Sequence, residues 1–435
     1  MFRSKIHSRT LGAAIALATV TTLAACSTST GTAEQAGKLS TDPGKVSGSI
    51  TFSTWWAYAD QALIDGFKAK YPNVKVKLDF SAIDSYPAKI QTLASSGGLP
   101  DVFAAQSATL TALSGAKQLY DLTPALATES ADQSNKWGDT FNASLLKGAN
   151  SDMLKAETSG QTYGVPFDAI SVASIYNKDA FAKAGVTPAT SFDQLLSNCR
   201  ALKSAGYIPM SLTGSVWGTW WTSLAWDQTM QTSKIADFKV SNPDYVKGFE
   251  IVKKMADAGC WDSSQVTTDI AAETSLFLQG KTAQFVSVPE NFLASVAKGA
   301  SFKLGTYVLP PLDGKTPNRI LGGGNANVLV VNKNTKNASA AVAFVKYLTS
   351  KKVQTSLAAS QYIIPSINVD LSSGNPLMDA YLKAAGNGFT DSSTYLPAFT
   401  PAGQTKFASD VLPRLILGKL SPSDAATATA ELFVK

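Results

Sequence analysis

Tyr163-Gly164-Val165-Pro166-Phe167-Asp168 is the stretch on which the organisation of this 435-residue chain turns. Pro166 has no backbone donor and holds Val165 extended, while Gly164 relaxes the chain just upstream. One strand–helix alternation precedes the stretch, and a second begins after it with Ala169-Ile170-Ser171-Val172-Ala173-Ser174-Ile175-Tyr176. An extended segment with an acid at its midpoint joins two lobes and places Asp168 in the space between them.

Upstream, Ser49-Ile50-Thr51-Phe52 reads as a short strand, and Leu63, Phe67 and Tyr71, four apart, as one face of a helix stopped by Pro72-Asn73. Val74, Val76, Leu78 and Phe80 alternate with Lys75, Lys77 and Asp79, the period of a half-buried strand. Strand–helix–strand order predicts a mostly parallel sheet, whose ligands lie beyond the carboxyl ends of the strands. That rule selects three loops: Trp55 to Asp60, Ser81 to Tyr86 with Asp84, and Ala105-Gln106-Ser107 after the strand Asp101 to Ala104. Two readings of Trp55-Trp56 are open. On a strand the rings point to opposite faces, which leaves one as a stacking platform for a sugar; alternatively both pack beneath the helix. Asp60 and Asp84 are hydroxyl acceptors on the first reading.

Downstream, Asn177-Lys178-Asp179 opens a short helix ending near Gly185, and Ser191-Phe192-Asp193-Gln194 has the form of a capping box. Four tryptophans, Trp217, Trp220, Trp221 and Trp226, fall within ten residues, and helical spacing brings Trp217, Trp220 and Trp221 together. Ala283 to Val288 reads as a strand with Glu290 and Asn291 at its carboxyl end, either as ligand contacts or as a bare helix start. Leu321-Gly322-Gly323-Gly324-Asn325-Ala326-Asn327, leading into Val328 to Val331, reads as a second crossing. It is no phosphate loop, since no Gly-Lys-Ser/Thr follows. Gln361-Tyr362-Ile363-Ile364-Pro365 reads as a third. Cys199 and Cys260 are either a disulfide or two separate buried thiols.

The amino terminus is of a different kind. Basic residues precede the apolar run Leu11 to Val20, which is too short to span a bilayer and reads as a signal peptide over residues 1–25. Leu23-Ala24-Ala25-Cys26 resembles the lipobox of bacterial lipoproteins, the alternative being plain cleavage beside an incidental cysteine. Acyl chains on Cys26 would make a lasting membrane anchor, with residues 26–45 as a flexible tether rich in Ser, Thr, Gly and Ala. Of the +6 formal charge, Arg3, Lys5 and Arg9 belong to the segment expected to be removed, which leaves +3 and no basic run for nucleic acid. His7, in that same segment, is the single histidine, so the mature chain has none for a Ser-His-Asp triad or a zinc site. No metal or cofactor is expected.

Taken together, the lipobox, Ile50 to Asp60 with Tyr71-Pro72-Asn73-Val74-Lys75-Val76, Pro100-Asp101-Val102-Phe103, and Tyr163 to Asp168 running into Ile175-Tyr176-Asn177-Lys178 are similar to the extracellular solute-binding proteins of sugar ABC importers, the maltose-binding-protein-like group. Gly322-Gly323-Gly324-Asn325 before Val331-Asn332-Lys333 adds to the resemblance, which covers essentially the whole mature chain. It implies a two-lobed α/β fold of the type II periplasmic-binding-protein kind with three interlobe crossings. Lobe 1 is expected over 46–162 and 325–362, and lobe 2 over 163–324 and 363–435. It also implies a monomer that closes on a sugar and docks on a membrane permease. The binding residues it implies are Trp55, Trp56, Asp60, Asp84, Gln106, Asp168, Trp217, Trp220, Glu290, Asn291, Gly324, Asn325 and Tyr362. Members often carry an aromatic residue where this chain has Pro289-Glu290. The rival classes are a lipid-anchored glycoside hydrolase using two of those carboxylates, and a surface adhesion module using an exposed apolar patch.

Overall fold

Residues 48–54 and 74–80 form the first two strands, β1 (Gly48–Thr54) and β2 (Val74–Phe80). They pair in parallel from Gly48 opposite Val74 to Thr54 opposite Phe80, with the helix Gln61–Lys70 between them in sequence. The computed structural model describes residues 39–40, 42–83, 85–105, 107–151, 160–169, 172–212, 219–230, 233–288, 292–317, 327–369, 375–386, 397 and 399–433. The signal segment, Cys26 and most of the tether lie outside them.

β3 (Val102–Ala105) joins β1 in parallel, Phe52 opposite Val102. The next neighbour comes from far downstream. With β4 (Gly164–Pro166), β5 (Asp168–Ala169), β6 (Ala173–Asn177), β7 (Gln284–Ser287), β8 (Leu304–Tyr307) and β9 (Val328–Val331) following in order, the first sheet is β2-β1-β3-β9-β4. β9 runs antiparallel to both β3 and β4, so it is the one reversed strand. The second sheet mirrors this arrangement. β6 sits between β7 and β8 and is antiparallel to both, while Ile208 pairs in parallel with Thr282 beside β7. Three runs therefore point one way, and β6, arriving from the first sheet, points the other. The sheets are mixed where mostly parallel ones were expected: two of the first sheet's four pairings and both pairings of the second are antiparallel, because each sheet takes in the strand a crossing delivers.

Each sheet has its own core. Phe344 meets Phe52 and Phe67 edge-on at 5.1 and 4.9 Å, and all three are fully buried in the first core with Phe103 and Trp137. Trp226, Tyr245 and Phe249 anchor a second core that takes in the carboxyl-terminal Phe407, Leu412 and Phe433. A third gathers Ile175, Phe277, Phe285, Ile364 and Tyr381. Burial of one such ring contributes about 2–3 kcal/mol.

Capping follows the local sequence. Ser191 accepts the Gln194 N–H at 3.2 Å, but the Gln194 side chain reaches back to the N–H of Thr190, one residue before the expected box. Asn177 caps the helix Lys178–Ala184, which ends at Gly185 in the left-handed region (φ +67°) as its turn requires. Cys199 and Cys260, both buried, form a disulfide. Among the described residues, no helix is long and apolar enough to cross a membrane and no group of three His, Cys, Asp or Glu could hold a metal ion.

Candidate functional site

Register alone brings the loops together. Ala105 of β3 and Pro166 of β4 both stand opposite Val328, so the ends of these strands and the start of β9 share one edge of the first sheet. In the second sheet, Ala173 at the start of β6 stands opposite Ser287 at the end of β7. The chain passes from the first edge to the second between Pro166 and Ala173. β5 lies in that passage and pairs with β10 (Ile364–Pro365), Asp168 opposite Pro365.

Asp168 is fully buried, not facing solvent, and it holds the crossings together. Its Oδ1 accepts the backbone N–H of Asn327 at 3.1 Å and its Oδ2 the Asn327 side-chain amide at 2.9 Å. Tyr58 donates its hydroxyl to Oδ2 at 3.4 Å. Phe167 returns its N–H to the Asn327 carbonyl at 2.7 Å, and Ser366 donates its hydroxyl to the Pro166 carbonyl at 2.6 Å. Burial raises the Asp168 carboxyl to about 6, against the lowering effect of the donors from Asn327 and Tyr58. A carboxylate between two chain passages is a fixed acceptor around which neighbouring groups are oriented.

Next to this acid lies an aromatic stack. Trp56 lies flat on Phe167 (centroids 4.4 Å apart, 16° between planes) and is nearly parallel to Tyr58 at 6.0 Å. Trp55 meets Tyr86 edge-on at 4.9 Å. Trp55 is 6% exposed and Trp56 1%, so both rings are covered and neither stands out as a free platform. Their indole N–H groups are buried without an acceptor among the described residues. An orphan donor of that kind costs about 1–3 kcal/mol and calls for an acceptor.

Asp60 is exposed and serves as a helix cap, accepting the Leu63 N–H at 3.1 Å at the head of Gln61–Lys70. Tyr362 is half-buried against the third core at the end of the helix Lys351–Gln361. Its φ of +59° is left-handed, a conformation that costs a non-glycine residue about 1–2 kcal/mol. Trp220 lies on the helix Thr219–Thr229, whose Trp221 is buried edge-on against Trp261 at 5.3 Å. Asp84, Gln106, Trp217, Glu290, Asn291, Gly324 and Asn325 lie outside the described residues, and of Trp220 only the backbone is described. Sequence reasoning passed over Tyr58, Phe167 and Asn327, although each stood inside a stretch it had selected. What distinguishes them is only their partner, Asp168 or Trp56.

The family profile described as bacterial extracellular solute-binding protein matches residues 47–355. The chain belongs to this family, whose members bind solutes. The diacetylchitobiose binding protein DasA of Streptomyces coelicolor is 25% identical over 381 residues, 84% of this chain and 83% of its own. The sn-glycerol-3-phosphate-binding periplasmic protein UgpB of Rhizobium meliloti is 26% identical over 271 residues, and the chain spans 59% of that relative. Among solved structures, the GacH receptor of Streptomyces glaucescens, known unliganded and with acarbose and an acarbose homolog, aligns with a TM-score of 0.68. It is 22% identical and covers 89% of this chain and 97% of its own. The fold is the two-sheet type II arrangement of those binding proteins.

Proposed function

We propose that the protein captures a neutral sugar or short oligosaccharide between its two sheets and hands it to an ABC permease in the membrane. The observation that carries this reading is the stack of Trp56, Phe167 and Tyr58 beside the Asp168 carboxyl, with two orphan indole donors, at the edge shared by the crossings. Aromatic faces suit the apolar faces of pyranose rings, while a carboxylate and N–H donors suit their hydroxyls. The names of DasA and the GacH complexes point to the same ligand class. An anion such as the ligand in UgpB's name is disfavoured, because the candidate set supplies Asp60, Asp84, Asp168 and Glu290 and no lysine or arginine. The two tryptophans are covered in the arrangement described, so hinge motion at the crossings is what admits the solute. Lobe 1 comprises 46–167 and 325–362, and lobe 2 168–324 and 363–435; the first boundary moves from the expected 163 because β4 pairs in the first sheet and Phe167 packs in the first core. The third crossing is drawn out, since Ile363 and Ile367 pack in the first core and Ile364 in the third. Trp217, Trp220, Gln106, Asn291, Gly324, Asn325 and Tyr362 complete the proposed site. Cys26 carries the lipid anchor, and the protein acts as a monomer on the outer face of the membrane. The glycosidase alternative finds no support in a family of binding proteins.

Calorimetric titration of residues 46–435 with diacetylchitobiose, longer chito-oligosaccharides, maltose-series sugars and sn-glycerol 3-phosphate tests the reading. Saturable one-to-one binding of a neutral sugar recovered unchanged is the expected result. Binding of the phosphate ester alone would overturn the sugar assignment, and hydrolysis of a bound sugar would overturn the binding role. For the anchor, Cys26→Ser should move the protein from the membrane fraction to the medium.

A further inference from the structure

The end of the first sheet away from the crossings carries a charge pattern that solute binding does not use. β1, β2 and β3 all run toward the crossings, so Gly48, Val74 and Val102 mark their far ends, and β9 arrives there at Val331. Leu119 bridges to Asn332, and Lys333 donates its N–H to the Gln118 carbonyl at 2.9 Å. These bonds tie the chain that follows the helix Ser107–Gly115 to the end of β9. A cavity of about 260 Å³ lies here, lined by Lys117, Leu119, Gln161, Tyr163 and Lys333.

Both lysines are exposed, and Lys117 stands at an unusual place. It donates its N–H to the Ser114 carbonyl at 2.9 Å, and Gln118 donates to Leu113 at 3.0 Å, the two bonds that end a helix at a left-handed residue. Glycine ordinarily occupies that position, yet here a lysine does, with φ at +54°. A left-handed lysine costs folding stability that glycine does not, and that cost singles the side chain out. Across the cavity the Tyr163 hydroxyl donates to Gln161 at 2.6 Å, and the Gln161 amide donates to Asp121 at 3.3 Å. Asp121 also takes the Thr123 N–H at 2.9 Å and does not line the cavity.

Further lysines surround it. Lys45, Lys75 and Lys336 are exposed at the same end of the sheet. Asn73 reaches the Gly44 carbonyl at 3.1 Å, Lys75 stands opposite Ser49, and the Asn337 amide reaches the Ser49 carbonyl at 2.9 Å. From β2 to β9 the sheet is three strand spacings wide, about 14 Å. Of the acids there, Asp42 is exposed and pairs with Lys45 at 3.5 Å, while Asp101 takes the Thr51 N–H at 2.8 Å and the Thr335 hydroxyl at 2.5 Å. The amino-terminal segment joins the fold here too. Leu39 packs on the first core, and Ser40 donates its N–H to the Ser339 hydroxyl at 3.0 Å, a short way beyond Lys333. The chain from Cys26 to Leu39 reaches at most about 45 Å when fully extended.

We infer that this end of lobe 1 rests on the anionic surface of the membrane, the cavity between Lys117 and Lys333 taking the phosphate of an acidic lipid headgroup. Its role presupposes the Cys26 anchor proposed above, though the contact itself does not. Ammonium groups meet a phosphate as point charges, and each one close to an acidic bilayer adds to the attraction. Seated this way, the protein turns the crossings and the aromatic stack away from the membrane, toward solutes arriving from outside. Contacts that salt screens are readily broken, so the protein can lift to reach the permease.

Vesicle sedimentation with the Cys26→Ser chain, which has no acyl group, tests the contact. At about 50 mM salt it should bind phosphatidylcholine vesicles containing about a third phosphatidylglycerol, leave pure phosphatidylcholine alone, and bind less at about 200 mM salt. Lys117→Gln with Lys333→Gln should weaken binding about twenty- to thirtyfold, at about fivefold for each lysine. Lys298→Gln with Lys419→Gln removes the same charge from exposed sites of lobe 2 and should change binding by less than about twofold. Lys117→Gly should raise the melting temperature and still weaken binding about fivefold, an opposition that a lysine kept only to offset the helix dipole does not produce. No preference for the acidic vesicles, or equal losses in the two double variants, would overturn the docking. So would displacement from acidic vesicles by millimolar inorganic phosphate at constant ionic strength, which would mark a pocket for the free anion. Acidic-vesicle binding by the Cys26→Ser chain, with the wild type found in the medium, would uphold the contact and defeat the anchor reading instead.

Discussion

Asp168 and Asn327 stand 159 positions apart in the chain and are bonded twice, through the backbone N–H at 3.1 Å and the side-chain amide at 2.9 Å. The pair clamps the first passage between the sheets to the strand that returns from the second. Asp168→Ala leaves two buried donors of Asn327 without their acceptor and removes one partner of the Tyr58 hydroxyl. Unsatisfied groups of this kind cost about 1–3 kcal/mol each, so a loss of roughly 2–4 kcal/mol is expected in urea unfolding. Asn327→Ala should lose less, because the backbone N–H still reaches Asp168. A variant series in which Asn327→Ala costs more than Asp168→Ala would count against the clamp.

Protonation of Asp168 sets a pH dependence. Its carboxyl is raised from 3.8 to about 6 in the fold, so the folded state binds the proton more tightly. The stability this supplies is fully present below about pH 4 and is lost as the pH rises to about 6, amounting to at most ~3 kcal/mol. Glu273, buried in the helix Ile270–Leu278, acts with the same sign and over a window that extends to about 7. Melting temperatures of wild type and Asp168→Asn between those limits should diverge, the wild type losing ground as the pH increases. Parallel profiles would sink the assignment.

The bond between Cys199 and Cys260 closes a loop spanning a sequence separation of 61. Constraint of the unfolded chain by a loop of that size is worth about 4 kcal/mol. Cys199→Ser combined with Cys260→Ser, or reduction of the native protein, should lower the melting temperature markedly. Two free thiols titrating in the denatured, unreduced protein would contradict the pairing.

Binding and stability separate at the tryptophans. Trp55→Phe keeps a ring against Tyr86 and removes an orphan indole N–H, so stability should change by less than about 1 kcal/mol. If that donor serves the solute, affinity for the sugar found by titration should fall about tenfold. Trp56→Ala, by contrast, empties the stack on Phe167 and should cost about 3–5 kcal/mol of folding stability. Unchanged affinity in Trp55→Phe would remove Trp55 from the site.

Much of the fold was legible because periodicity reports on burial. Val74 to Phe80 alternates and is β2, and the extended run that Gly164 and Pro166 imply is β4, from whose end the chain passes to the second sheet. The register of β9 was not legible, since nothing in Val328 to Val331 says which strands it will lie between. Asp168 was read as lying in the space between two lobes, but its full burial was not legible, because an acid's burial depends on donors that sequence does not connect to it. Asp60 precedes the helical run Gln61 to Lys70, the ordinary position of a cap, and that is its function in the fold. Trp55 and Trp56 follow the end of β1, where the alternation of a strand no longer applies, and both turn inward.

The insertion of β9 between β3 and β4 has a consequence for the life of the chain before it is folded. A ribosome that has released β1 to β4 has not yet made the strand that joins β3 to β4. Until residues 328–331 emerge, the first sheet is left with two open edges at its centre and cannot close. A polypeptide that must be threaded through a membrane as an unfolded chain gains from such a delay. The native pairing that would block its passage depends on one of the last strands to be synthesised.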